Sequence, residues 1–229
     1  AGRMLAAFAL TEPKAGSDAF DLESRAVQQR DGSWLLNGEK RFIGNGGRGS
    51  VFVTFARTEI GGKDRHTAFI LERGTDGFEA GDRYDTMGLR GNDLRPLYFR
   101  DVRVPAENVL GEPGDGFRIA QKRLGPGRIH HVMRWLGQMQ RAFELMCKRA
   151  LTREAFGSTL AQKQTVQNWI ADSAAQMQAA RLMTLHAAWK MDTEGAAAAR
   201  QEIALIKFYG ARMLHDVVDR ALQAHGALG

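Results

Sequence analysis

A short stretch near the beginning of the chain, LTEPKAGSD (Leu10–Asp18), combines residue types that bind a phosphate-bearing ligand. It follows the apolar run MLAAFAL and contains Thr11, Gly16 and Ser17. Hydroxyl and backbone N–H groups donate hydrogen bonds to phosphate or to the polar edge of a cofactor, and glycine lets the backbone approach closely. A capped surface turn uses the same residues, so the loop alone leaves both interpretations open.

Other signatures of catalysis are missing from the sequence. It contains no GxSxG elbow, no Walker P-loop and no GxGxxG that opens a helix. The histidines are scattered, and only His130 and His131 are adjacent. Because neighbouring helical residues point about 100° apart, this pair makes a poor chelate, and we expect no metal site. The glycine-rich GNGGRG (44–49) is predicted as a turn or as a close backbone approach to a ligand.

Composition places the chain among ordinary soluble intracellular proteins. It has 229 residues, 44% of them hydrophobic and 25% charged, and no apolar run approaches the roughly 20 residues of a membrane span. Its only cysteine, Cys147, excludes an internal disulfide and favours a reducing compartment. The net charge of +6 permits nucleic acid, an anionic membrane or a small anionic ligand as partner. No block of five like charges indicates a nucleic-acid tail.

The first half of the chain is predicted to form strands. Residues 4–11 make one strand, and β-branched and aromatic residues predict three more, at 51–57, 66–73 and 94–104. Asp31-Gly32 and Asn37-Gly38 each suit a turn with positive φ, so only the short strand SWLL fits between them. An antiparallel sheet is therefore expected, folded as a sandwich or small barrel.

The second half is predicted to form long helices. Apolar residues recur at intervals of three and four in three segments, 129–146, 164–191 and 196–224. Helices of this length pack as a bundle. The Pro-, Gly- and acid-rich segment Val104–Phe117 is predicted as a linker, which gives a β domain of residues 1–104 and a helical domain of residues 105–229.

Five segments, in this order, resemble the acyl-CoA dehydrogenase family. AFALTEPKAGSD (7–18) is similar to its flavin-binding signature, and NGEKRFIGNGG (37–47) to its second flavin segment. Three later segments resemble its β-to-α linker, its Arg-x-x-Phe-Gly segment and its last flavin-contacting turn: FRDVRVPAENVLG (99–111), REAFGSTLAQKQ (153–164) and QAHGALG (223–229). The first and fourth motifs are specific, and the five are spread along nearly the whole chain, from residue 7 to residue 229.

The resemblance implies an α+β fold in which an antiparallel β domain is followed by a helical bundle. The family's N-terminal helical domain and the end of its last helix have no counterpart in this sequence. Because the chain also begins and ends abruptly, we expect it to be a fragment of a longer protein.

FAD is the cofactor that the resemblance implies. Phe8, Leu10 and Thr11 are implied to lie beside the isoalloxazine ring, where the Thr11 hydroxyl and backbone N–H groups bond its polar edge. Gly16 is implied to allow close approach of the backbone. Ser17 is implied to bind a phosphate or the pantetheine arm of the substrate.

The segment Phe42, Ile43 and Gly44 is implied to cover the flavin face. The family usually has Trp in place of Phe42 and a hydroxyl residue in place of Gly44. Phe42 keeps the stacking, but the hydroxyl contact is lost, and Gly44 is left with a backbone contact only.

Residues of the helical half are implied to bind the flavin dinucleotide of a neighbouring subunit. Arg153 suits the pyrophosphate and Phe156 an apolar edge, although a solvated helix-end charge is the alternative for Arg153. Gln164, Gln223 and Gly226 are implied to belong to the same shared site. A site built from two chains implies a homodimer or homotetramer.

The segment LGPGRIHH (124–131) resembles the start of the family's long middle helix. Arg128 corresponds to an arginine near the substrate, with a structural arginine of the flavin cleft as an equal alternative. Some relatives carry the catalytic glutamate one residue before that arginine, where this chain has Gly127. Most have it shortly after the turn matched by HGALG, so we expect the base just beyond Gly229 and nominate no catalytic residue within the chain.

The reaction implied is oxidation of an acyl-CoA to the 2,3-enoyl-CoA in fatty-acid β-oxidation. A carboxylate removes the α-proton while the β-hydride passes to the flavin, and an acceptor such as electron-transfer flavoprotein takes the electrons. Acyl-CoA oxidase and a DNA-binding flavoprotein of the same fold are the alternatives, although we expect no nucleic-acid partner because a CoA site also needs positive charge. The compartment implied is the bacterial cytoplasm or the mitochondrial matrix.

Overall fold

The computed structural model describes residues 2–229, which fold into two compact units that divide between Lys122 and Arg123. The first unit contains the large sheet, and the second contains a short hairpin and most of the helical residues. The predicted class, a β domain followed by a helical domain, is confirmed.

The strands of the first unit form one sheet. They are β1 (Ala6–Ala9), β2 (Arg25–Gln28), β3 (Trp34–Ile43), β4 (Val51–Ile60), β5 (Lys63–Glu72), β6 (Phe78–Ala80), β7 (Arg95–Val104) and β8 (Val109–Leu110). Their order is β6-β7-β3-β2-β4-β5-β8, with β1 beside β4. Most neighbours are antiparallel as predicted, but β4 is parallel to both β1 and β2. The sheet is mixed because a crossover through β2 and β3, rather than a hairpin, joins β1 to β4.

The two turn predictions have different outcomes. Asp31-Gly32 does turn the chain between β2 and β3, and Gly32 has a φ of 85°. Asn37-Gly38 is wrong as a turn, because both residues lie inside β3, where the pairing with β7 is irregular between Leu36 and Gly38. Glycine serves a different purpose there: a Cβ at residue 38 would lie 2.6 Å from the Cβ of Ser24.

Two groups of buried side chains hold the first unit together. The larger one contains most of its buried aromatic residues, with the rings of Trp34 and Phe69 5.6 Å apart. Burying a side chain of this size contributes about 2 kcal/mol. The smaller group contains Ala15 and Leu22, which come from the loop after β1, and Phe55 of β4. This smaller group therefore fixes the predicted ligand loop to the sheet.

The helices of the second half are α1 (Gly116–Thr152), α2 (Gln164–Glu194) and α3 (Arg200–His225), with the hairpin β9 (Glu154–Ala155) and β10 (Ser158–Thr159) after α1. The predictions for α2 and α3 are confirmed to within a few residues. Ile129 and Val132 of α1 pack against Ala187 of α2 and Ile203 of α3. None of the helices within residues 2–229 combines the length and apolar character needed to cross a membrane.

The prediction for α1 was wrong at its start. Leu124–His131 lies inside this helix, which begins at Gly116 and continues through Pro126. Proline removes one helical hydrogen bond and usually ends a helix, so Gly125-Pro126-Gly127 hid the first turns from the sequence pattern. The predicted linker also contains a strand, since Leu110 of β8 pairs with Ala68 of β5.

Candidate functional site

The loop Leu10–Asp18 follows β1 and lies against β3. Its Thr11 carbonyl accepts a hydrogen bond from the Arg41 N–H at 2.8 Å, and the Glu12 N–H donates to the Ala15 carbonyl at 3.0 Å. The later residues Gly16 and Ser17 are exposed. The half of the loop up to Ala15 is therefore fastened, and the half from Gly16 to Asp18 is open to solvent.

A buried ion pair holds the fastened half. The Nζ atom of Lys40 lies 2.6 Å from Oε1 of Glu12, and the two side chains are 0% and 1% exposed. Lys40 also donates to the Leu10 carbonyl at 3.3 Å. The Glu12 carboxylate accepts the N–H of Glu23 at 2.5 Å and that of Ser24 at 3.2 Å. Neither member of the pair was recognised from the sequence, although each lies inside one of the flavin-like motifs.

Both pKa values in this pair are shifted. Burial lowers the pKa of Lys40 to about 8, although the Glu12 carboxylate opposes the change. Burial would raise the pKa of Glu12, but the Lys40 charge and the N–H donors outweigh it and lower that pKa below its usual value. Both groups are therefore mainly charged at neutral pH.

The second flavin-like segment, residues 37–47, begins inside β3 and continues past its end. Phe42 has a φ of 55° and is 58% exposed, with its ring centroid 4.8 Å from that of Tyr84. A bulky residue in this conformation is strained, and such strain concentrates at ligand sites. Ile43 is buried in the core, so a ligand can reach only its backbone. A Cβ at Gly44 would lie 3.0 Å from Oδ1 of Asn92, so the hydroxyl side chain usual in the family has little room here.

The remaining predicted residues of the first unit differ in exposure. Phe8 is half-buried, with its ring centroid 5.0 Å from that of Phe55, and Leu10 packs in the same group. Thr11 is half-buried, and its hydroxyl makes no hydrogen bond to another residue in the range 2–229. In GNGGRG, a Cβ at Gly47 would overlap the side chain of Asp93, so this glycine is explained by protein packing and not by a ligand.

Arg153 and Phe156 lie at the hairpin that follows α1. Phe156 and Gly157 form its two-residue turn, with φ values of 53° and 74°. Turns of this kind need positive φ at both positions, which phenylalanine disfavours. The Phe156 side chain is also 99% exposed. An exposed, strained aromatic residue at a hairpin tip indicates contact with a ligand or another chain.

A cleft in the second unit gathers several predicted residues. Its volume is about 520 Å³, and it is lined by Arg149, Arg153, Leu160, Gln223, Ala224, His225, Gly226, Ala227 and Leu228. Arg153, Gln223 and Gly226 were predicted to share a site, and the structure brings them together here. Phe156 and Gln164 are not among the lining residues, and Gln164 is exposed at the start of α2.

Arg149 adds a second cation to this cleft. It lies in the last turn of α1, four residues before Arg153, which follows the end of the helix at Thr152 and donates its N–H to the Arg149 carbonyl at 2.9 Å. Its Nε is buried and has no hydrogen-bond partner within residues 2–229. Leaving a buried N–H unpaired is costly, and this donor belongs to a residue that lines the cleft. The spacing from Arg153 was the only sequence signal, and a lone helical arginine is usually solvated.

Arg128 is exposed on α1, within a cationic region. Partial burial and then the nearby charge of Arg128 lower the pKa of Lys207. A Cβ at Gly127 would meet only the Arg123 guanidinium, at 3.6 Å or more. A Cβ at residue 127 therefore meets only ordinary contacts, but this chain carries no carboxylate there. Within residues 2–229, no group of three or more His, Cys, Asp or Glu side chains is arranged to hold a metal ion.

Two family models match this chain. The acyl-CoA dehydrogenase middle domain matches residues 7–102, and the acyl-CoA dehydrogenase C-terminal domain matches residues 114–229. The chain belongs to the acyl-CoA dehydrogenase family. Family members are flavin-dependent oxidoreductases, and the two matches separate close to the predicted linker.

Individual relatives agree with this assignment. Acyl-CoA dehydrogenase family member 11 of Rattus norvegicus is 38% identical over 237 residues, which cover 100% of this chain and 30% of that protein. (R)-benzylsuccinyl-CoA dehydrogenase of Thauera aromatica is 39% identical over 231 residues, with 100% and 56% covered. The structure of butyryl-CoA dehydrogenase from Megasphaera elsdenii matches with a TM-score of 0.92 at 38% identity, and 98% and 58% of the two chains are covered. The chain thus spans between 30% and 58% of these relatives.

Proposed function

We propose that this protein is an FAD-dependent acyl-CoA dehydrogenase that oxidises an acyl-CoA to the 2,3-enoyl-CoA. The observation that carries the proposal is the junction of the Leu10–Asp18 loop with β3. The Thr11 carbonyl is bonded to the residue that precedes Phe42, and the Phe42 ring is exposed. A free hydroxyl and an exposed aromatic face, held on adjacent backbone, fit a planar cofactor with a polar edge.

The residues of both units fit FAD better than FMN. Bound FAD would accept the β-hydride of the substrate at its flavin ring. Thr11 would donate to the polar edge of the ring and Phe42 would pack on its face, supported by Tyr84. The cleft with Arg149 and Arg153 favours a dinucleotide, because only FAD carries a pyrophosphate for two guanidinium groups.

The substrate would use the open half of the loop. Ser17 is exposed and would bind a phosphate or the pantetheine arm, and Arg128 lies in the cationic region of the second unit, which suits an anionic substrate. The α-proton needs a carboxylate, which Gly127 cannot supply. We therefore keep the prediction that the base is an Asp or Glu shortly after Gly229 in the full protein.

Assembly and electron transfer complete the proposal. The strained, exposed Phe156 would contact the flavin of a neighbouring subunit, so the active form is a homodimer or homotetramer. Arg153→Ala should then lower flavin occupancy and loosen the oligomer together, as read by flavin absorbance and light scattering. The electron acceptor would be electron-transfer flavoprotein, and rapid oxygen consumption would instead identify an oxidase.

The cofactor and the reaction can be tested on the full protein. Flavin released from it should have the mass of FAD, and recovery of FMN would contradict the proposal. Acyl-CoAs of different length and branching should bleach the bound flavin under anaerobic conditions. Phe42→Ala should weaken FAD binding about tenfold, through loss of the aromatic contact. Phe208→Ala, at a similarly exposed phenylalanine (52%) of α3, is the matched control and should leave binding unchanged.

A further inference from the structure

The two flavin-like segments of the first unit are joined at three points. The Arg41 N–H bonds the Thr11 carbonyl, and the Lys40 ammonium bonds both the Leu10 carbonyl and the Glu12 carboxylate. Each contact links the loop after β1 to consecutive residues of β3, immediately before Phe42. The backbone on both sides of the proposed flavin surface is therefore tied together by one lysine and its neighbour.

A third segment is tied to the same carboxylate. Glu12 accepts the N–H groups of Glu23 and Ser24, where the chain enters β2. The Ser24 hydroxyl donates to the Glu39 carbonyl at 3.4 Å, and Ser24 occupies the space that Gly38 leaves free. The Glu12 carboxylate thus lies where the loop, β2 and β3 meet. Its hydrogen-bond donors are two backbone N–H groups and the Lys40 ammonium.

Stability alone does not explain a buried ion pair here. Removing both charges from water costs several kcal/mol per ion, and well-packed apolar residues often do as well or better. The chain also has an exposed alternative: Lys14 and Glu23 pair at 2.7 Å, with side chains 72% and 52% exposed, and join the same loop to the same segment. A fully bonded, buried polar network instead specifies a single arrangement of the backbone.

We propose that Glu12 and Lys40 are positioning residues, whose buried ion pair locks the loop after β1 onto β3 so that Thr11 and Phe42 present a preformed surface to the flavin. The proposal rests on the proposed FAD function. Because the lock is made by protein groups alone, the surface exists before the cofactor binds. The conformational entropy of the loop is then lost during folding and not during flavin binding, so it does not lower the affinity for the flavin.

The double substitution Glu12→Gln with Lys40→Met tests the lock without leaving a buried charge unpaired. The introduced glutamine can still accept the two N–H groups, but the introduced methionine cannot hold the loop, because it has no N–H to donate. We expect a folded protein whose FAD affinity falls about tenfold, with a changed visible flavin spectrum and a shifted flavin midpoint potential. The matched control is Lys14→Met with Glu23→Gln, which removes the exposed pair on the same loop and should leave all three flavin properties unchanged.

Hydrogen exchange on the wild-type full protein tests the lock without any substitution. The N–H groups of Glu23, Ser24 and Arg41 each make one of its bonds. After the flavin is stripped, they should exchange as slowly as N–H groups inside β3. Fast exchange that becomes slow only when FAD is added would overturn the proposal, because the surface would then be formed by the cofactor.

The two experiments separate this proposal from the proposed function. A double variant that folds and keeps the affinity, spectrum and potential of the wild type would overturn the positioning role. If the double variant does not fold, the exchange rates of the stripped wild type decide. A wild-type protein that binds no flavin at all would refute the proposed function and with it the flavin role of the pair, whereas slow exchange would still establish the lock itself.

Discussion

In the first unit Lys40 is buried and its charge is paired with Glu12, whereas in the second unit Arg149 buries its Nε without a partner among residues 2–229. Lys40 has a carboxylate at 2.6 Å and a carbonyl at 3.3 Å, both from the loop that it holds. Arg149 shares its cleft with Arg153, and none of the described residues that line this cleft is acidic. The cation of the first unit is thus neutralised by a protein carboxylate, whereas the cations of the cleft in the second unit have no carboxylate among the described lining residues.

The difference separates groups that shape a site from groups that bind in it. A buried charge with a protein partner stabilises one backbone arrangement whether or not a ligand is present. A buried donor without a partner destabilises the free protein and is satisfied by a ligand, so its contribution appears in binding. Substitution of Lys40 should therefore lower the stability of the protein, whereas substitution of Arg149 should weaken ligand binding without lowering stability.

The largest effect is expected from Lys40→Met alone. This change leaves the Glu12 carboxylate buried without its cation, so the free energy of unfolding should fall by about 3–5 kcal/mol. Urea denaturation of the full protein measures it, and Arg149→Met is the comparison, with a change below about 1 kcal/mol. Adding Glu12→Gln to Lys40→Met should recover most of the loss. A single variant as stable as the wild type would mean that the pair is not buried as described.

The second-largest effect should be the pH dependence of stability that Lys40 causes in the first unit. The pKa of Lys40 is about 8 in the folded protein and near 10.5 when unfolded, so between these values only the unfolded chain keeps the proton. Unfolding then takes up a proton, and stability should rise with pH across this window. Each pKa unit corresponds to about 1.4 kcal/mol, which limits the rise to about 3 kcal/mol.

The measurement is the difference in unfolding free energy between the wild type and the Glu12→Gln, Lys40→Met double variant, across the window from the folded to the unfolded pKa of Lys40, about 8 to 10.5. The difference should move in favour of the wild type as the pH rises and should be flat below about pH 8. A difference that is constant across the window would contradict the lowered pKa of Lys40.

Arg149→Met should have a smaller effect, seen in binding alone. Loss of one charge-assisted bond to pyrophosphate should weaken FAD binding about tenfold, while the stability of the flavin-free protein stays the same or increases. Titration with FAD and denaturation of the stripped protein measure the two quantities. Arg141→Met, at an exposed arginine of the same helix, is the control and should change neither. Unchanged FAD affinity in Arg149→Met would remove Arg149 from the cofactor site.

The smallest effect should be that of salt. Raising NaCl from about 0.05 to about 0.5 M should weaken FAD binding a few-fold, because screening acts on the accessible arginines of the cleft. Exchange of the Ser24 N–H, which reports the buried pair, should not change. If salt accelerates exchange of the Ser24 N–H by the same factor as it weakens FAD binding, the contrast between the buried pair and the cleft arginines is wrong.

Local patterns in the sequence were sufficient for much of the fold. The apolar spacing located α2 and α3, and Asp31-Gly32 located a hairpin turn, because each depends on neighbours within a few residues. The order of the motifs identified the family, and the Arg153 motif placed that arginine with Gln223 and Gly226. Helix α1 was found only in part, since Pro126 interrupts the local pattern while packing along the helix maintains it.

What only the tertiary structure decided depends on residues far apart in the chain. The sequence predicts a turn at Asn37-Gly38 and gives no sign that Lys40 is buried. In the structure Glu12, distant in sequence, pairs with the buried Lys40, and Ser24 packs against Gly38 inside β3. Arg149 likewise has the pattern of a solvated charge, but in the structure its Nε is buried and it lines one cleft with residues from the end of α3. Residue types fix what each group can bond to, but burial and partners arise only when separate segments meet, because desolvation depends on everything that surrounds a group.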